Sequence, residues 1–343
     1  MVKKKLSYEF SGQEVHYYLG ESLENLEQYA DPGRTVLIVD ENVRKLHGSK
    51  LGGWRIIEVP AGEACKEMKT LQQVIDALVE MEVDRKTLLI GIGGGVTTDL
   101  TGFVASIYMR GIPFAFAPTT LLAQVDASIG GKNGINFGLY KNMLGIIRQP
   151  SFILFDYEVL HTLSEEERQN GFAEIIKYAC IEDAALFDYL EKNREQALAG
   201  ETSVIAYLVE CSVRIKSRIV QADEFENGMR RWLNFGHTIG HAVEKLEKIA
   251  HGRAVAIGMV AASRLSEKMT GLPAADTARL LRLIQDYQLP VKMSADPNAV
   301  FDLFKMDKKR EKDFIHFVLL EAPGKAVTQP IPLEILKEQL LHL

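Results

Sequence analysis

The chain has 343 residues, a length that is typical of two domains. Hydrophobic residues make up 47%, enough for a large core. Charged residues make up 25%, as in ordinary globular proteins. The formal net charge of −6 argues against nucleic acid or an anionic membrane as a partner, because both bind basic surfaces.

The residues up to 156 alternate short apolar runs with amphipathic stretches. The runs that fit buried strands are 35–39, 55–59, 87–90, 113–117 and 152–155. Between the second and third runs, apolar residues recur at helical spacing from Leu71 to Leu78. Buried strands separated by helices predict a parallel sheet with helices on both faces, in an α/β domain over residues 1–156.

After residue 156 the pattern becomes mainly helical. Ser164 and Glu167 form a capping-box pattern, which predicts the start of a helix. Long helical patterns then cover 183–193, 204–220, 234–249 and 254–269. Strand signals almost vanish until the apolar run at 314–320. The sequence therefore predicts a mainly α-helical second domain over residues 157–343.

Cysteine usage and hydropathy bear on the compartment. The three cysteines, Cys65, Cys180 and Cys211, form no CxxC pair, and reduced thiols in the cytosol are the simplest interpretation. No apolar run of signal-peptide length follows the basic start, MVKKK. No stretch has the ~18 consecutive apolar residues of a membrane span. We therefore expect a soluble, cytoplasmic protein.

A glycine-rich turn, Gly91-Ile92-Gly93-Gly94-Gly95, follows the third strand-like run and precedes a helix-like stretch. Glycines here let backbone amides and a helix N-terminus approach a phosphate. A tight turn explains the same glycines about as well, and the spacing is not G-x-G-x-x-G. Asp40, Asp99 and Thr119-Thr120 stand near strand ends, where α/β sheets bind ligands, although Asp99 also suits a helix cap.

Histidines are concentrated in one short region, because three of the eight lie between His237 and His251. Two histidines, a carboxylate and an open position form a catalytic zinc site, and Glu174 is an upstream carboxylate. Spacing favours His237 and His241, four residues apart on one helix face, with His251 as a third candidate. Helix caps and surface histidines are the alternative, but their clustering beside glycines favours chemistry.

Several cations are embedded in apolar or glycine-rich segments, which suits the capture of phosphate or carboxylate. They are Arg110, Lys132, Lys141, Lys177, Lys216, Arg230 and the pair Lys308-Lys309. A solvated surface cation is the ordinary explanation for any single one. Lys177 stands out, because it lies one helical turn from Glu174 and faces the same way.

Taken together, these residues resemble the 3-dehydroquinate synthase family over about residues 36–320. The motifs that carry the resemblance are Gly93-Gly94-Gly95 with Asp99, Arg110-Gly111-Ile112, the segment from Pro118 to Ser128, Gly131-Lys132, Lys141-Asn142, Ala173-Glu174 with Lys177, the segment from Leu233 to Thr238 with Gly240-His241, and His251-Gly252. Each motif is weak alone, and the set is specific. The resemblance implies a Rossmann-like NAD-binding α/β domain and a mainly helical metal- and substrate-binding domain.

The resemblance implies conversion of 3-deoxy-D-arabino-heptulosonate 7-phosphate to 3-dehydroquinate and phosphate, in the shikimate pathway of aromatic amino-acid biosynthesis. The family oxidises an alcohol with bound NAD, eliminates phosphate, returns the hydride and closes the ring by an aldol step, as a carbon–oxygen lyase. Three alternatives stay open: another sugar-phosphate cyclase, a metal-dependent polyol dehydrogenase that turns NAD over, and a non-catalytic scaffold.

The resemblance also implies a divalent metal, zinc or cobalt, held by Glu174, His237 and His251. His241 then belongs to the acid–base and substrate shell, with Lys177, while Glu226 matches the family's proposed proton acceptor. The implied substrate contacts are Arg110, Asp126, Lys132, Asn142, Lys216, Arg230, Asn234 and Lys309. The implied NAD contacts are Asp40, Asn42, Glu63, Lys66, Gly94, Gly95, Val96, Asp99, Thr119, Thr120, Leu122, Lys141, Thr162 and Glu167. In the family Arg110 serves the neighbouring subunit, which implies a homodimer.

Three features depart from the family pattern. The family usually has His-Gly-Glu where this chain has His251-Gly252-Arg253, and we expect Arg253 to point away from the metal. Ile146-Ile147-Arg148 replaces a small-plus-aromatic pattern, and the connection from His241 to His251 is short. None of these departures removes a predicted site residue.

Overall fold

The structure, a computed structural model, describes residues 3–138, 140–305, 310–311 and 314–340. The chain forms two compact units, Met1–Ser164 with Ile205–Glu224 and Glu165–Val204 with Phe225–Leu343. These units do not follow the predicted division at residue 156 throughout, because one helix from the second half of the chain packs within the first unit.

The described strands and helices are numbered here in chain order. The strands are β1 (Lys4–Phe10), β2 (Gln13–Leu19), β3 (Thr35–Asp40), β4 (Arg55–Val59), β5 (Leu88–Gly93), β6 (Phe114–Pro118), β7 (Lys132–Phe137), β8 (Tyr140–Ile147), β9 (Phe152–Phe155), β10 (Arg310–Glu311), β11 (Phe314–Ala322) and β12 (Lys325–Pro332). The helices are α1 (Glu41–His47), α2 (Met68–Glu80), α3 (Gly95–Ile107), α4 (Glu165–Glu182), α5 (Ala184–Lys192), α6 (Arg194–Leu198), α7 (Thr202–Ala222), α8 (His237–Glu247), α9 (His251–Met269), α10 (Ala274–Asp286), α11 (Pro297–Lys305) and α12 (Leu333–Leu340).

The first unit is built on a seven-stranded sheet with the order β1-β2-β9-β6-β5-β3-β4. The β1–β2 pair is antiparallel, and the other pairings are parallel. Every residue of β3 and β6 is buried, as expected for central strands covered on both faces. The five predicted strand runs and the helix around Leu71 are confirmed, and so is the predicted parallel α/β class.

Helix α7 joins the first unit through contacts with its N-terminal hairpin. The Lys4 ammonium lies 2.5 Å from a Glu210 carboxylate oxygen, and the Gln221 side chain donates to the Glu9 carbonyl at 3.1 Å. The helical pattern over 204–220 predicted this helix, but it did not indicate which unit the helix packs in.

The second unit is mainly helical, as predicted, with a small sheet of order β10-β11-β12. Helix α4 begins directly after Ser164, in agreement with the capping-box prediction, and is buried from Gln169 to Ile181. Helix α8 begins at His237, later than predicted, because Met229–Asn234 forms a 3₁₀ helix and Gly236 adopts a φ of 78°. Among the described helices, none has the length and apolar character to cross a membrane.

Candidate active site

Three helices of the second unit carry the predicted metal ligands: α4 carries Glu174, α8 begins with His237 and α9 begins with His251. Helices α8 and α9 approach closely at Gly258, where an added Cβ would lie 1.8 Å from the Gly236 carbonyl oxygen. The start of α9 is fastened to α4, because the Gly252 amide donates to Asn170 Oδ1 at 3.0 Å. These contacts hold the three ligand-bearing backbones together.

The predicted carboxylate and two of the three histidines converge on one point. Glu174 Oε1 lies 3.1 Å from His251 Nε2 and 3.4 Å from His237 Nε2. One potential ligand atom from each of these three residues lies within 4.8 Å of the other two. Glu174 is fully buried, so its carboxylate must be stabilised by protein groups or by a bound cation.

The second ring nitrogen of each histidine has its own hydrogen-bond acceptor. His237 Nδ1 lies 3.2 Å from the Phe235 carbonyl oxygen, and His251 Nδ1 lies 3.0 Å from Glu244 Oε2. Because a carbonyl and a carboxylate only accept, both Nδ1 atoms must donate. This arrangement directs Nε2 of each ring toward Glu174, as in histidines that bind a metal through Nε2.

Lys177 completes the surroundings of Glu174. Its ammonium lies 2.5 Å from Glu174 Oε2 and 4.8 Å from the centre of the Tyr178 ring, and its side chain is buried. Burial by itself would raise the pKa of Glu174, but Lys177 and the two imidazoles outweigh it and hold that pKa well below its usual range. Glu174 is therefore an ionised carboxylate at neutral pH.

Two carboxylates favour positive charge at His251. Burial would lower the pKa of His251, but hydrogen bonds to Glu174 and Glu244 outweigh it and raise that pKa to about 10. Burial does lower the pKa of His237, against the attraction of Glu174. An oxygen donor, two imidazole donors and this preference for a cation fit a divalent metal such as zinc or cobalt.

The arrangement corrects the choice of ligands by spacing alone. The converging group contains His251 and Glu174 with His237, and His241 is not a member of it. The His241 ring is exposed, with its centre 5.3 Å from that of His237 and 6.0 Å from that of His251. A spacing of four residues brings the rings of His237 and His241 together, but it does not require both Nε2 atoms to face Glu174.

Other predicted catalytic and substrate residues of the second unit lie before α8. The Asn234 amide donates to Glu226 Oε1 at 2.8 Å, so the predicted phosphate contact orients the predicted proton acceptor. Glu226 has a φ of 62°, in the left-handed region that few non-glycine residues occupy. Arg230 is buried.

In the first unit, the glycine turn joins β5 to α3. The Thr119 amide, at the end of β6, donates to the Gly93 carbonyl at 2.9 Å, and Thr120 Oγ1 accepts from the Ala123 amide. A Cβ at Gly95 would lie 2.7 Å from that of Ala127, so the turn is packed too tightly for a side chain there. The amides at the start of α3 suit a phosphate group, and a nucleotide site here stays a prediction.

A buried cation links predicted NAD contacts to a predicted substrate contact. Lys66 Nζ lies 2.6 Å from Asp99 Oδ2 and 2.5 Å from Asn142 Oδ1. Burial raises the pKa of Asp99, against the opposing effect of Lys66. Asn142 has a φ of 52° on β8, where Asn136 Oδ1 accepts from its amide at 2.9 Å.

Among the remaining predicted residues of the first unit, some side chains are held by hydrogen bonds or ion pairs, and others are exposed to solvent. Asp40 caps α1 through hydrogen bonds from the amides of Asn42 and Val43, and Thr162 Oγ1 lies 3.0 Å from His47 Nε2. Asn136 also donates to Glu63, whose carboxylate lies 3.8 Å from Lys141 Nζ.

Lys216 Nζ lies 2.8 Å from Asp126 Oδ1 and also donates to the Asp126 carbonyl at 2.7 Å. Arg110 and Lys132 are exposed. Val96 lies in the first turn of α3, and Leu122 directly precedes the Ala123–Ala127 turn. Glu167 lies in the first turn of α4, in the second unit. Lys308 and Lys309 lie outside the described residues.

Comparison with known proteins decides the family. A family model described as 3-dehydroquinate synthase N-terminal matches residues 56–170, and one described as 3-dehydroquinate synthase C-terminal matches residues 171–310. The chain belongs to the 3-dehydroquinate synthase family. A 3-dehydroquinate synthase from Streptococcus sanguinis (strain SK36) is 41% identical over 330 residues, which are 92% of this chain and 92% of that protein.

Two solved cyclases are also similar. The 2-epi-5-epi-valiolone synthase from Streptomyces hygroscopicus subsp. jinggangensis 5008, with NAD+ and Zn2+ bound, has a TM-score of 0.87 and 29% identity, over 100% of this chain and 98% of that one. A 2-deoxy-scyllo-inosose synthase, complexed with carbaglucose-6-phosphate, NAD+ and Co2+, has a TM-score of 0.88. At 24% identity, over 98% of this chain and 99% of that one, this second likeness shows the fold alone.

The departures from the family pattern have structural partners. Arg253 Nη1 donates to Gln169 Oε1 at 3.3 Å, so the partner of its guanidinium is a neutral amide. Arg148 donates to the Ala105 carbonyl at 3.0 Å and stacks over Phe114, with 5.2 Å from its guanidinium carbon to the ring centre. Both arginines therefore have local roles within their own unit.

Sequence reasoning missed Glu244, although a signal for it was present. Glu244 follows His237 by seven residues and His241 by three, a spacing that places all three on one face of a helix. Its partner His251 is on another helix, so the contact itself was not readable from the spacing.

Proposed function

We propose that the chain catalyses the conversion of 3-deoxy-D-arabino-heptulosonate 7-phosphate to 3-dehydroquinate and phosphate. As proposed, it is a carbon–oxygen lyase that depends on NAD and on a divalent metal. The observation that carries the proposal is the convergence of Glu174, His237 and His251 in a chain of the 3-dehydroquinate synthase family. The Streptococcus sanguinis relative named above supports this reaction over that of another sugar-phosphate cyclase.

The metal is assigned to Glu174, His237 and His251. When bound, it supplies Lewis acidity that lowers the pKa of a coordinated hydroxyl, as it lowers that of bound water from about 16 to about 7. Lys177, whose ammonium lies 2.5 Å from Glu174 Oε2, keeps Glu174 ionised, and we assign it to a substrate oxygen at this site. The exposed ring of His241 is placed for proton exchange with substrate or water.

The nucleotide is assigned to the glycine turn and its surroundings in the first unit. NAD accepts a hydride and returns it, so the reaction consumes none. The amides at the start of α3 receive the pyrophosphate, and Asp99, held by Lys66, is available to a ribose hydroxyl. The buried Lys66 also fixes Asn142, which we assign to the substrate phosphate.

The substrate carries a phosphate and a carboxylate, and the chain offers cations for both. We assign Arg110, Lys132, Asn142, Asn234 and Lys309 to the phosphate side. We assign Lys177, Lys216 and Arg230 to the carboxylate and hydroxyl side, with Asp126 as the partner of Lys216. Glu226 is assigned the proton acceptor role, with its carboxylate oriented by Asn234.

A stoichiometric assay tests the proposal. The protein is incubated with 3-deoxy-D-arabino-heptulosonate 7-phosphate, Co2+ and NAD, and phosphate and NADH are followed together. We expect phosphate to accumulate over many turnovers with no net NADH, and His251→Ala to abolish both metal binding and phosphate release. Steady NADH formation on polyols, without phosphate release, would favour the dehydrogenase instead.

A further inference from the structure

Glu244 lies in the last turn of α8 and contacts a predicted metal ligand on the next helix. Its Oε2 lies 3.0 Å from His251 Nδ1, and the residue is neither fully buried nor exposed. The connection between α8 and α9 spans only Lys248 to Ala250. Lys248 has a φ of 53°, and its amide donates to the Glu244 carbonyl, which ends α8. The short connection thus returns the chain so that His251 faces Glu244.

The two histidine ligands are oriented by different means. His237 donates Nδ1–H to the Phe235 carbonyl, a main-chain group only two residues away. His251 is the first residue of α9, and its Nδ1 donates to the Glu244 carboxylate. A carboxylate that accepts from one ring nitrogen fixes the tautomer and the ring plane, and leaves the other nitrogen to bind the metal.

Charge gives Glu244 a second role. Glu174 carries one negative charge at the centre, but the buried Lys177 ammonium at 2.5 Å opposes it. Without a further anion, a divalent cation would enter a site of two neutral imidazoles and a compensated carboxylate. Glu244 supplies that anion directly behind His251, and its side chain is only 15% exposed, so solvent screens the attraction in part.

We propose that Glu244 is a positioning residue of the metal centre. It holds the His251 imidazole with Nε2 toward Glu174, and it supplies a negative charge in place of the Glu174 charge that Lys177 offsets. This inference rests on the metal site of the proposed function. It does not depend on the identity of the substrate.

Metal binding by the full chain tests the inference. Metal-free wild type, Glu244→Gln and Glu244→Ala are titrated with Co2+ alone, and the dissociation constant and the visible absorption of bound Co2+ are recorded. Glu247→Gln is the matched control, because Glu247 lies on the same helix but accepts from the amides of Ser294 and Ala295. Glutamine keeps an acceptor for Nδ1–H and loses the charge, whereas alanine loses both.

We expect Co2+ affinity to fall about tenfold in Glu244→Gln and about 100-fold in Glu244→Ala, within the range seen when such partners are removed. The ligand-field bands of bound Co2+ should shift in Glu244→Ala and be largely restored in Glu244→Gln. The metal-free thermal midpoint of Glu244→Gln should fall only slightly, because the charged His251 keeps Glu174 but loses the Glu244 carboxylate, and the small change separates positioning from a general loss of folding. Glu247→Gln should bind Co2+ as wild type does.

Unchanged Co2+ affinity and spectrum in Glu244→Ala would overturn the inference while leaving the proposed function in place. The same holds if Glu247→Gln weakens binding as much as Glu244→Gln does. Failure of wild type to bind Co2+ would overturn both the metal site and this inference. If wild type binds Co2+ but releases no phosphate, only the proposed function fails, and weakened binding in the Glu244 variants still supports the inference.

Discussion

Glu174 is a carboxylate without access to solvent, and three groups replace the missing water. Lys177 meets one of its oxygens, and the two histidines meet the other. A buried charge that loses one partner is costly, about 3–5 kcal/mol for a broken buried pair. In the metal-free protein Lys177 is therefore required for stability as well as being a candidate contact for substrate.

Lys177→Met should lower the free energy of unfolding of the metal-free protein by about 3–5 kcal/mol, because Glu174 then lacks its ammonium partner. Saturating Co2+ should recover most of that loss, since the bound cation then compensates the negative charge of Glu174. Urea unfolding with and without Co2+ measures both quantities. Lys192→Met, at an exposed position of α5, is the control and should change stability by less than about 0.5 kcal/mol. Equal effects of the two substitutions would refute this role of Lys177.

Arg253 stands two residues from His251 but bonds to Gln169. Arg253→Ala should therefore change Co2+ affinity by no more than about threefold, because we expect the guanidinium bonded to Gln169 to point away from the metal. Isothermal titration of the metal-free variant provides the measurement. A tightening of about tenfold or more, equivalent to about 1.4 kcal/mol, would mean that the guanidinium faces the ligands.

At the scale of elements, the site depends on how closely helices approach. Gly258→Ala should weaken Co2+ binding and lower the thermal midpoint, because the new methyl would meet the Gly236 carbonyl and push α9 from α8. Gly52→Ala is the matched control, since Gly52 has a φ of −64° and no neighbour of its Cβ within 4 Å. Equal thermal midpoints and Co2+ affinities in the two variants would contradict this account of helix packing.

The glycine turn offers a test by compensation. Gly95→Ala should weaken NAD binding, because its methyl would lie 2.7 Å from the Ala127 Cβ. Ala127→Gly removes that methyl, so the double variant should regain much of the NAD affinity and stability. Fluorescence titration with NADH follows the affinity. No recovery in the double variant would mean that Gly95 is needed for its backbone conformation, and not because a side chain there would crowd Ala127.

Elements were predictable where burial is strong and local. The central strands are continuous apolar runs in the sequence, and their predicted bounds nearly match those in the structure. The β1–β2 and β7–β8 hairpins were not predicted, because β1 and β8 are largely exposed and lack a clean apolar face. The metal triad was recognised through family motifs, whereas spacing alone favoured His241. Glu244 was missed because its role depends on a contact between two helices.

At the scale of the whole molecule, we propose a homodimer in which Arg110 serves the active site of the neighbouring subunit. Arg110 is exposed and has a φ of 66°, next to Gly111 with a φ of 117°. The proposal predicts that two inactive variants, Arg110→Ala and His251→Ala, complement each other when subunits are mixed. One of the two sites in each mixed dimer would then be intact.

After unfolding and joint refolding of the two variants, activity should return to about a quarter of wild type, because half of the randomly paired dimers are mixed. Separately refolded variants serve as the control and should stay inactive. No activity after joint refolding, with mixed dimers shown to be present by differential tagging, would contradict action of Arg110 across subunits.

Product identification tests the central claim most directly. Proton NMR follows 3-deoxy-D-arabino-heptulosonate 7-phosphate in the presence of enzyme, Co2+ and an amount of NAD far below that of substrate. We predict that 3-dehydroquinate appears in equal amount to free phosphate, with NAD present in its oxidised form throughout. Phosphate release with a different carbocycle, or conversion that stops once NAD is reduced, would contradict the account.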